Sequence, residues 1–404
     1  MYIVIGQGIA GSTAATMLRK QDPHTPVAVI TNELHYVYSR IDLPDIIAGK
    51  CEPAASVLRT AEDFAKAGIE CLMGETAVAL LRDEKAVLLS SGRRFQYDKL
   101  LLATGSLPVV PPVPGGDAPG VYSLWTLQQA GEIFDAAGKA RSAVVMGAGL
   151  IGLKTALALK KRGLNVTVIE KLPRLLPRQL DDEASDMLAE SVREEGVEIL
   201  VGMGIDAISV DSGAVGAVNA GGRVFPADLV VMAIGVKPNI GLAVAAGIET
   251  GRGITVDEFQ RTSDPDVYAA GDAAETLDPL TGDRTIPASW PVAVAQGRIA
   301  ASNMAGGRAT YDGMVAMNAV EIGGMPLVSI GDIEGQAGDE VLAERRNGAY
   351  RKVVIRDGKI RGVLFLGEIR QAGVIGSLIS RRVEIAEVER LTSPHFSYAD
   401  LIAV

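Results

Sequence analysis

Two stretches of this chain, Gly6-Gln7-Gly8-Ile9-Ala10-Gly11 and Gly147-Ala148-Gly149-Leu150-Ile151-Gly152, carry the same glycine pattern. Each follows a short apolar run, Tyr2-Ile3-Val4-Ile5 or Ala143-Val144-Val145-Met146, and precedes a helix-like stretch. We therefore predict a strand, a glycine turn and a helix start at each copy. In such a unit the first glycine makes the turn, the second lets the backbone approach a pyrophosphate, and the third lets the helix pack on the strand. Two copies predict two dinucleotide sites, with electron transfer between the bound molecules.

An acidic residue beyond each glycine pattern strengthens this prediction. A second strand-like run ends at Ile30 and is followed by Glu33, and another ends at Ile169 and is followed at once by Glu170. A carboxylate about twenty positions after the glycines is the hydrogen-bond acceptor that a ribose diol requires. We expect Glu170 to take this role in the second site and Glu33, which comes slightly later, to take it in the first.

Composition narrows the class of protein. A chain of 404 residues is longer than one hydrophobic core usually serves, so two or three domains are expected. The net charge of −10 argues against nucleic-acid binding. Cys51 and Cys71 are the two cysteines and His24, His35 and His395 the three histidines, which predicts no disulfide scaffold and no metal site. The apolar start runs directly into the first glycine pattern, so we read it as a core strand of a cytoplasmic protein with no membrane span.

Changes in composition suggest three domains and an α/β fold. The predicted fold has two Rossmann-like dinucleotide-binding domains and a C-terminal α+β domain. Proline-rich and Lys-Pro-Asn segments near 108–120 and 235–240 predict the crossings between the first two domains. We therefore assign residues 1–110 and 236–310 to one dinucleotide domain and 111–235 to the other. Residues 311–404 form the third, where 350–366 reads as a hairpin with an Asp-Gly turn.

The order of these motifs resembles the FAD-dependent pyridine nucleotide-disulfide oxidoreductase superfamily across nearly the whole chain. In that superfamily the first glycine pattern binds FAD, an Ala-Thr-Gly segment closes the FAD domain, the second pattern binds NAD(P)H, and a late Gly-Asp holds the ribityl chain of FAD. The resemblance implies the following cofactor-binding residues: Gly6, Gly8, Gly11, Glu33, Arg40, Ala103, Thr104, Gly105, Gly147, Gly149, Gly152, Glu170, Gly235, Gly271, Asp272 and Trp290. It implies FAD and NADH as cofactors, with NADPH less suited to Glu170.

The Cys-x4-Cys pair of the disulfide branch is missing, and so is the cysteine beside the flavin that the single-cysteine branch needs. Aligning the Leu-Pro and Ile-x-Gly of residues 38–49 places Ile41 where that branch has its redox cysteine, and Cys51 comes ten residues later. The Tyr38-x-Arg40 pattern is similar to the thiol-independent relatives: rubredoxin reductase, ferredoxin reductases and the flavin domain of nitrite reductase. In these relatives the arginine would neutralise FAD phosphate, which its fixed cationic fork suits. We interpret Cys51 as a surface thiol, with a displaced redox role as the alternative.

Two charged residues depart from the superfamily pattern. Many relatives carry a glutamate two residues after the second glycine pattern, where this chain has Lys154, and the oxygenase-type ferredoxin reductases carry a lysine where this chain has Asp45. We hypothesise that Asp45 and Lys154 form a charge-exchanged ion pair near the reacting edge of the flavin, where either charge would shift the flavin potential. Solvent exposure of both residues is the alternative. Reversing both charges together would restore the flavin potential if the two residues pair.

The resemblance implies an enzyme that takes hydride from NADH onto FAD and passes electrons to a small redox protein such as rubredoxin or ferredoxin. Two alternatives stay open: an NADH oxidase or peroxide or disulfide reductase that uses Cys51, and an NADH-sensing flavoprotein with a binding or signalling role. The third domain of relatives serves a homodimer interface or the docking of the acceptor. Its Arg345-Arg346, Arg351-Lys352 and Arg381-Arg382 pairs are candidate contacts for an acidic partner.

Overall fold

The computed structural model describes residues 1–385, 388–393 and 396, so His395 and the end of the predicted third domain lie outside the described residues. The chain divides into two compact units. The first comprises Met1–Arg40, Pro53–Leu107 and Val236–Met314, and the second comprises Ile41–Glu52, Pro108–Gly235 and the described residues from Val315 onward. The division of the units into separate FAD, NAD and C-terminal domains stays a prediction.

The described residues form nine α-helices. In chain order they are α1 (Ile9–Gln21), α2 (Leu43–Ile47), α3 (Ala61–Ala67), α4 (Leu127–Ala137), α5 (Leu150–Lys161), α6 (Asp182–Glu194), α7 (Gly241–Ala245), α8 (Trp290–Met304) and α9 (Ala372–Arg381). The sequence predicted a helix at each glycine pattern, and α1 and α5 begin directly after the second glycine.

The described strands are mostly short. In chain order they are β1 (Tyr2–Ile5), β2 (Val27–Thr31), β3 (Ile69–Met73), β4 (Ala77–Leu81), β5 (Ala86–Leu89), β6 (Arg94–Gln96), β7 (Lys99–Leu102), β8 (Ser106–Pro108), β9 (Val121–Ser123), β10 (Ser142–Met146), β11 (Asn165–Ile169), β12 (Glu198–Leu200), β13 (Ile205–Asp211), β14 (Ala214–Ala220), β15 (Arg223–Pro226), β16 (Leu229–Met232), β17 (Val236–Pro238), β18 (Ile254–Thr255), β19 (Val267–Ala269), β20 (Ala274–Leu277), β21 (Arg284–Thr285), β22 (Met317–Ile322), β23 (Met325–Gly331), β24 (Glu340–Arg346), β25 (Ala349–Arg356) and β26 (Lys359–Leu366).

A parallel sheet of five strands, in the order β19-β7-β1-β2-β3, is the framework of the first unit. Side chains of a strand alternate between the two faces of a sheet. Val4 therefore packs in the cluster that holds Leu18 of α1, whereas Ile3 and Ile5 pack in the cluster on the other face. β1 lies between β2 and β7, so the strand order reverses at β1. The turn after such a strand is where open α/β sheets bind ligands.

The second unit repeats this arrangement. Its parallel sheet has the order β12-β11-β10-β16-β9, and β10 lies between β11 and β16 as β1 lies between β2 and β7. Val144 and Met146 of β10 pack in one cluster with Val218 of the small antiparallel sheet β13-β14-β15. The second glycine turn therefore also follows the strand at which the order reverses.

An antiparallel sheet in the order β22-β23-β26-β25-β24 completes the second unit, and we call it the C-terminal sheet. β25 and β26 are joined by Asp357-Gly358, whose φ angles of +50° and +67° suit a two-residue hairpin turn. The predicted hairpin and the predicted fold class, two Rossmann-like sheets with a C-terminal α+β part, are confirmed. In the described part of the chain, no helix has the length and apolar character needed to cross a membrane.

Candidate functional site

The three glycines of the first pattern meet three different local requirements. Gly6 has φ +102°, and a Cβ there would lie 2.1 Å from the carbonyl oxygen of Ala103. A Cβ on Gly11 would lie 2.0 Å from the carbonyl oxygen of Gly6. Gly8 differs, because a Cβ on it would have no heavy atom within 4 Å. The protein's own packing requires two of the glycines, and the middle one leaves a space at the start of α1 that suits a pyrophosphate.

The second pattern has the same geometry. Gly147 has φ +101°, and a Cβ there would lie 2.6 Å from the carbonyl oxygen of Ala233. A Cβ on Gly152 would lie 2.0 Å from the carbonyl oxygen of Gly147, whereas a Cβ on Gly149 would have no heavy atom within 4 Å. Both turns therefore fit a dinucleotide that approaches the start of a helix.

Glu33 and Arg40, predicted to lie at the first dinucleotide, are brought together. The Arg40 guanidinium donates to Glu33 Oε1 at 2.5 Å, and the Tyr38 hydroxyl donates to Glu33 Oε2 at 2.5 Å. The same guanidinium lies 5.2 Å from the centroid of the Tyr38 ring. Sequence reasoning assigned no role to Tyr38, although its spacing of two residues from Arg40 was the signal for this cluster.

Glu170 lies against the second glycine turn. Its Oε2 accepts a hydrogen bond from the Ala148 N–H at 2.7 Å, and its Oε1 accepts one from the Leu172 N–H at 2.8 Å. The carboxylate therefore fixes the backbone of the turn, and its role as a ribose acceptor stays a prediction. The hydrogen bonds from the Ala148 and Leu172 N–H groups to Glu170 could not be predicted from sequence spacing alone.

The late Gly271-Asp272 pair lies close to the first glycine turn. Gly271 has φ +76°, and a Cβ there would lie 3.1 Å from Cβ of Ala10. The Gly271 N–H donates to Gln296 Oε1 at 2.8 Å, and Ser106 Oγ donates to Asp272 Oδ2 at 2.8 Å. Sequence reasoning missed Ser106 and Gln296. Ser106 directly follows the Ala-Thr-Gly segment, and that position was the available signal.

The remaining predicted residues of the first unit lie at the ends of its strands and helices. Ala103 follows β7 and contacts the first turn through its carbonyl, and Thr104 Oγ1 donates to the Asn239 carbonyl at 2.7 Å. Gly105 has φ +65°, and its carbonyl accepts from the Asn239 N–H at 2.9 Å. Trp290 is half-buried in the first turn of α8.

Gly235, predicted from the second unit, lies three residues after the end of β16. Its φ is +109°, and its carbonyl accepts from the Val109 N–H at 2.9 Å. This backbone conformation requires glycine, so the residue type is explained by the local fold whether or not it contacts a cofactor.

The predicted ion pair between Asp45 and Lys154 is wrong. Asp45 Oδ1 lies 3.8 Å from Lys50 Nζ, and no ion pair joins Asp45 to Lys154, although both line one cleft of about 300 Å³ in the second unit. The Lys50 N–H already donates to the Asp45 carbonyl at 2.9 Å. Because that contact places Lys50 locally, its side chain reaches Asp45 with less loss of conformational freedom than Lys154 requires.

We expect charge reversals at Asp45 and Lys154 to have additive effects. Because Asp45 pairs with Lys50 and forms no ion pair with Lys154, the two substitutions should act as separate sites, whose effects usually add to within about 0.5 kcal/mol. In Asp45→Lys, Lys154→Glu and the double variant, the shifts in flavin midpoint potential and in the rate of flavin reduction by NADH should therefore add. Recovery of the original potential in the double variant would show that the two charges interact.

The environments of both thiols disfavour thiolate chemistry. Burial, followed by the charges of Asp42, Asp45 and Glu52, raises the pKa of Cys51. Burial and then Glu70 raise the pKa of Cys71 to about 11. Since the thiolate is the reactive form, neither cysteine is activated near neutral pH. No group of three metal-binding side chains is arranged around an ion site within the described residues.

Of the three predicted basic pairs, one is buried and two are exposed. Arg351 and Lys352 are buried, so their prediction as contacts for an acidic partner is wrong. Arg351 donates to the Ser393 carbonyl at 2.9 Å, and Lys352 Nζ lies 3.1 Å from Asp181 Oδ2. A buried charge requires a partner, and these partners are internal. The pairs 345–346 and 381–382 are exposed.

Comparison with known proteins agrees with this geometry. Residues 1–297 match the family model described as pyridine nucleotide-disulphide oxidoreductase, and residues 317–383 match that of the rubredoxin NAD+ reductase C-terminal domain. The chain is 32% identical to subunit epsilon of NADH-dependent phenylglyoxylate dehydrogenase from Aromatoleum evansii, over 95% of this chain and 92% of that protein. It is 31% identical to an NADH oxidase from Methanocaldococcus jannaschii, over 100% of this chain and 95% of that protein.

A solved structure extends the similarity to the whole fold. The reductase of the covalent putidaredoxin reductase–putidaredoxin complex superimposes with a TM-score of 0.92 at 28% identity, covering 100% of this chain and 98% of that one. The similarity therefore includes the C-terminal sheet as well as both parallel sheets.

Proposed function

Because this chain belongs to the pyridine nucleotide-disulphide oxidoreductase family, we propose that it carries electrons from NADH through FAD to a small redox protein of the rubredoxin or ferredoxin kind. The chain is an NAD(P)H-dependent flavin oxidoreductase. When bound, FAD accepts hydride from the nicotinamide and releases the electrons singly, which couples a two-electron donor to a one-electron acceptor. The residues of this chain bind and orient the two cofactors.

FAD is assigned to the first glycine turn. Gly8 leaves space for its pyrophosphate, and Asp272, held by Ser106, supplies an acceptor for a ribityl hydroxyl. Glu33 accepts from the adenosine ribose, and Arg40 offsets phosphate charge while its contact with Glu33 keeps the guanidinium in place. The start of α8, at Trp290, presents N–H groups that stabilise negative charge on a reduced flavin.

NADH is assigned to the second glycine turn. Gly149 leaves the space for its pyrophosphate, and Glu170, already oriented by two backbone N–H groups, accepts from the 2′-hydroxyl of the ribose. A 2′-phosphate would bring its own negative charge against this carboxylate. We therefore propose NADH as the physiological donor.

The proposed class of electron acceptor rests mainly on one observation. Residues 317–383 match the C-terminal domain of rubredoxin NAD+ reductase. The putidaredoxin reductase complex supports the same class, since that reductase is joined to putidaredoxin. We propose the exposed Arg345, Arg346, Arg381 and Arg382 as contacts for an acidic partner, with Arg345 Nη1 also lying 3.9 Å from Glu183 Oε1. A homodimer through this region is a further proposal, which sedimentation equilibrium tests.

Anaerobic titration of the purified protein with NADH and with NADPH, followed by flavin absorption, tests the donor half-reaction. NADH should bleach the flavin promptly and NADPH much more slowly. A screen with rubredoxin, ferredoxin and oxygen then tests the acceptor. A bound flavin that neither nucleotide reduces would contradict the proposal, and slow turnover with every acceptor would favour a binding or signalling role.

Oxygen is the second candidate acceptor, because a relative at 31% identity is named NADH oxidase. We expect Cys51→Ser to retain NADH turnover with any acceptor, because burial and then the acidic neighbours raise the pKa of this thiol and disfavour the thiolate. Steady-state rates with oxygen, peroxide and a disulfide substrate provide the measurement, with Cys71→Ser as the matched control. Loss of activity in Cys51→Ser alone would favour a thiol mechanism.

A further inference from the structure

The loop that joins β11 to α6, residues 170–181, is hydrogen-bonded to both backbone groups of one residue in the second glycine turn, Ala148. Glu170 Oε2 accepts from the Ala148 N–H at 2.7 Å, and the Leu176 N–H donates to the Ala148 carbonyl at 3.1 Å. The Leu175 N–H donates to Ser185 Oγ at 2.9 Å. The position of this 170–181 loop therefore sets the position of Glu170 and of the turn where the nucleotide is assigned.

The C-terminal sheet holds the other side of the 170–181 loop. Asp181 Oδ2 accepts from the Tyr350 hydroxyl at 2.7 Å and lies 3.1 Å from Lys352 Nζ. Arg174 forms ion pairs with Glu334, which follows β23, and with Asp182. The side chains of Lys352 and Asp181 are 10% and 14% exposed, so solvent screens their attraction weakly.

Asp181 is held in its charged form. Burial would raise its pKa, but hydrogen bonds from the Tyr350 hydroxyl, the Ala184 N–H and Lys352, together with the charge of Lys352, bring the pKa below its usual range. The same side chain caps α6 by accepting from the Ala184 N–H at 3.1 Å. The contact therefore combines an ion pair with a helix cap, and loss of Lys352 would leave a buried carboxylate without a cation.

Only alternate residues of β25 contact Asp181, because the side chains of a strand point in turn to opposite faces of the sheet. Tyr350 and Lys352 lie two residues apart and both contact Asp181. Arg351, between them, lies on the opposite face, where it donates to Gln371 Oε1 at 3.0 Å and lies 4.7 Å from the centroid of the Phe365 ring. Two neighbouring buried cations thus differ in whether they reach the 170–181 loop.

We propose that Lys352, Tyr350 and Glu334 are positioning residues for the nicotinamide nucleotide, acting through the 170–181 loop. The inference rests on the proposed NADH site at the second glycine turn. Without these contacts the loop is less ordered in the free protein, and binding must then order it. The conformational entropy lost when the loop becomes ordered then weakens nucleotide binding, while the reacting atoms and the FAD site keep their contacts. The C-terminal sheet is thereby part of the NADH site without touching NADH.

The test compares Lys352→Met with Arg351→Met in the FAD-loaded full chain. Calorimetry measures NAD+ binding, and hydrogen exchange measures the Leu175 and Leu176 amides. We expect Lys352→Met to raise the NAD+ dissociation constant and the KM for NADH about tenfold, with kcat retained and faster exchange at both amides. Arg351→Met should lower the melting temperature but leave NAD+ affinity and these amides unchanged. Lys352→Arg should restore most of the affinity.

Tyr350→Phe provides a second, milder variant that removes one hydrogen bond and keeps the ring. It should raise the NAD+ dissociation constant about threefold. Unchanged NAD+ affinity in both Lys352→Met and Tyr350→Phe would overturn the proposal, and so would an equal loss in Arg351→Met. If Gly149→Ala also left NAD+ affinity unchanged, the nucleotide would not bind at the second turn, and the proposed site itself would be overturned together with the positioning role.

Discussion

Gly149→Ala is expected to raise the dissociation constant for NAD+ about 100-fold and to stop flavin reduction at ordinary NADH concentrations. Gly149 caps α5 with φ −77° and ψ 178°, a conformation that alanine adopts without strain. No heavy atom lies within 4 Å of the added Cβ, so the fold should tolerate it. The methyl group would instead occupy the space through which the pyrophosphate approaches the backbone.

Calorimetric NAD+ binding, FAD content and the melting temperature together check this result. Gly131→Ala in α4 is the matched control, because its Cβ also has no heavy atom within 4 Å and it lies inside a helix. It should raise stability by up to about 1 kcal/mol and leave NAD+ affinity unchanged. Wild-type NAD+ affinity in Gly149→Ala would place the nucleotide elsewhere.

The sequence predicted those parts of the fold that depend on local chemistry. A glycine pattern between an apolar strand and a helix commonly forms the turn of a dinucleotide-binding unit. The turns at Gly6 and Gly147 and the helices after them were therefore predictable. Asp357-Gly358 between two alternating runs was equally informative, since both residues adopt the positive φ that the turn needs. Parallel pairing of β1 with β2 and β10 with β11 follows from the helix that connects each pair.

Contacts between distant segments were not predictable in the same way. The Arg351-Lys352 pair reads as solvated charge, yet Lys352 pairs with Asp181 across the sequence. A single sequence does not show which charges meet, because a strand places neighbours on opposite faces and only the packed partner decides which face is buried. The error at Asp45 has a related origin. Sequence reasoning chose a distant partner, Lys154, over Lys50, which the loop after α2 holds nearby.

Gly8→Ala is expected to yield a folded protein that is purified without FAD. Gly8 has φ −59° and ψ −177°, which alanine accepts, and its Cβ would have no heavy atom within 4 Å. The methyl group would occupy the space assigned to the FAD pyrophosphate at the start of α1, with a rise in the FAD dissociation constant of about 100-fold or more. Circular dichroism measures the fold, and flavin absorbance after gel filtration measures the FAD content.

Gly11→Ala separates a packing defect from a binding defect in the same turn. Its Cβ would lie 2.0 Å from the Gly6 carbonyl oxygen, so backbone must move before any cofactor is considered. We expect this variant to lose secondary structure or solubility, whereas Gly8→Ala keeps both and loses only FAD. The contrast follows from what each missing side chain would meet: protein backbone at Gly11 and open space at Gly8. A Gly8→Ala protein that retains stoichiometric FAD would show that the space above Gly8 is not where the cofactor binds.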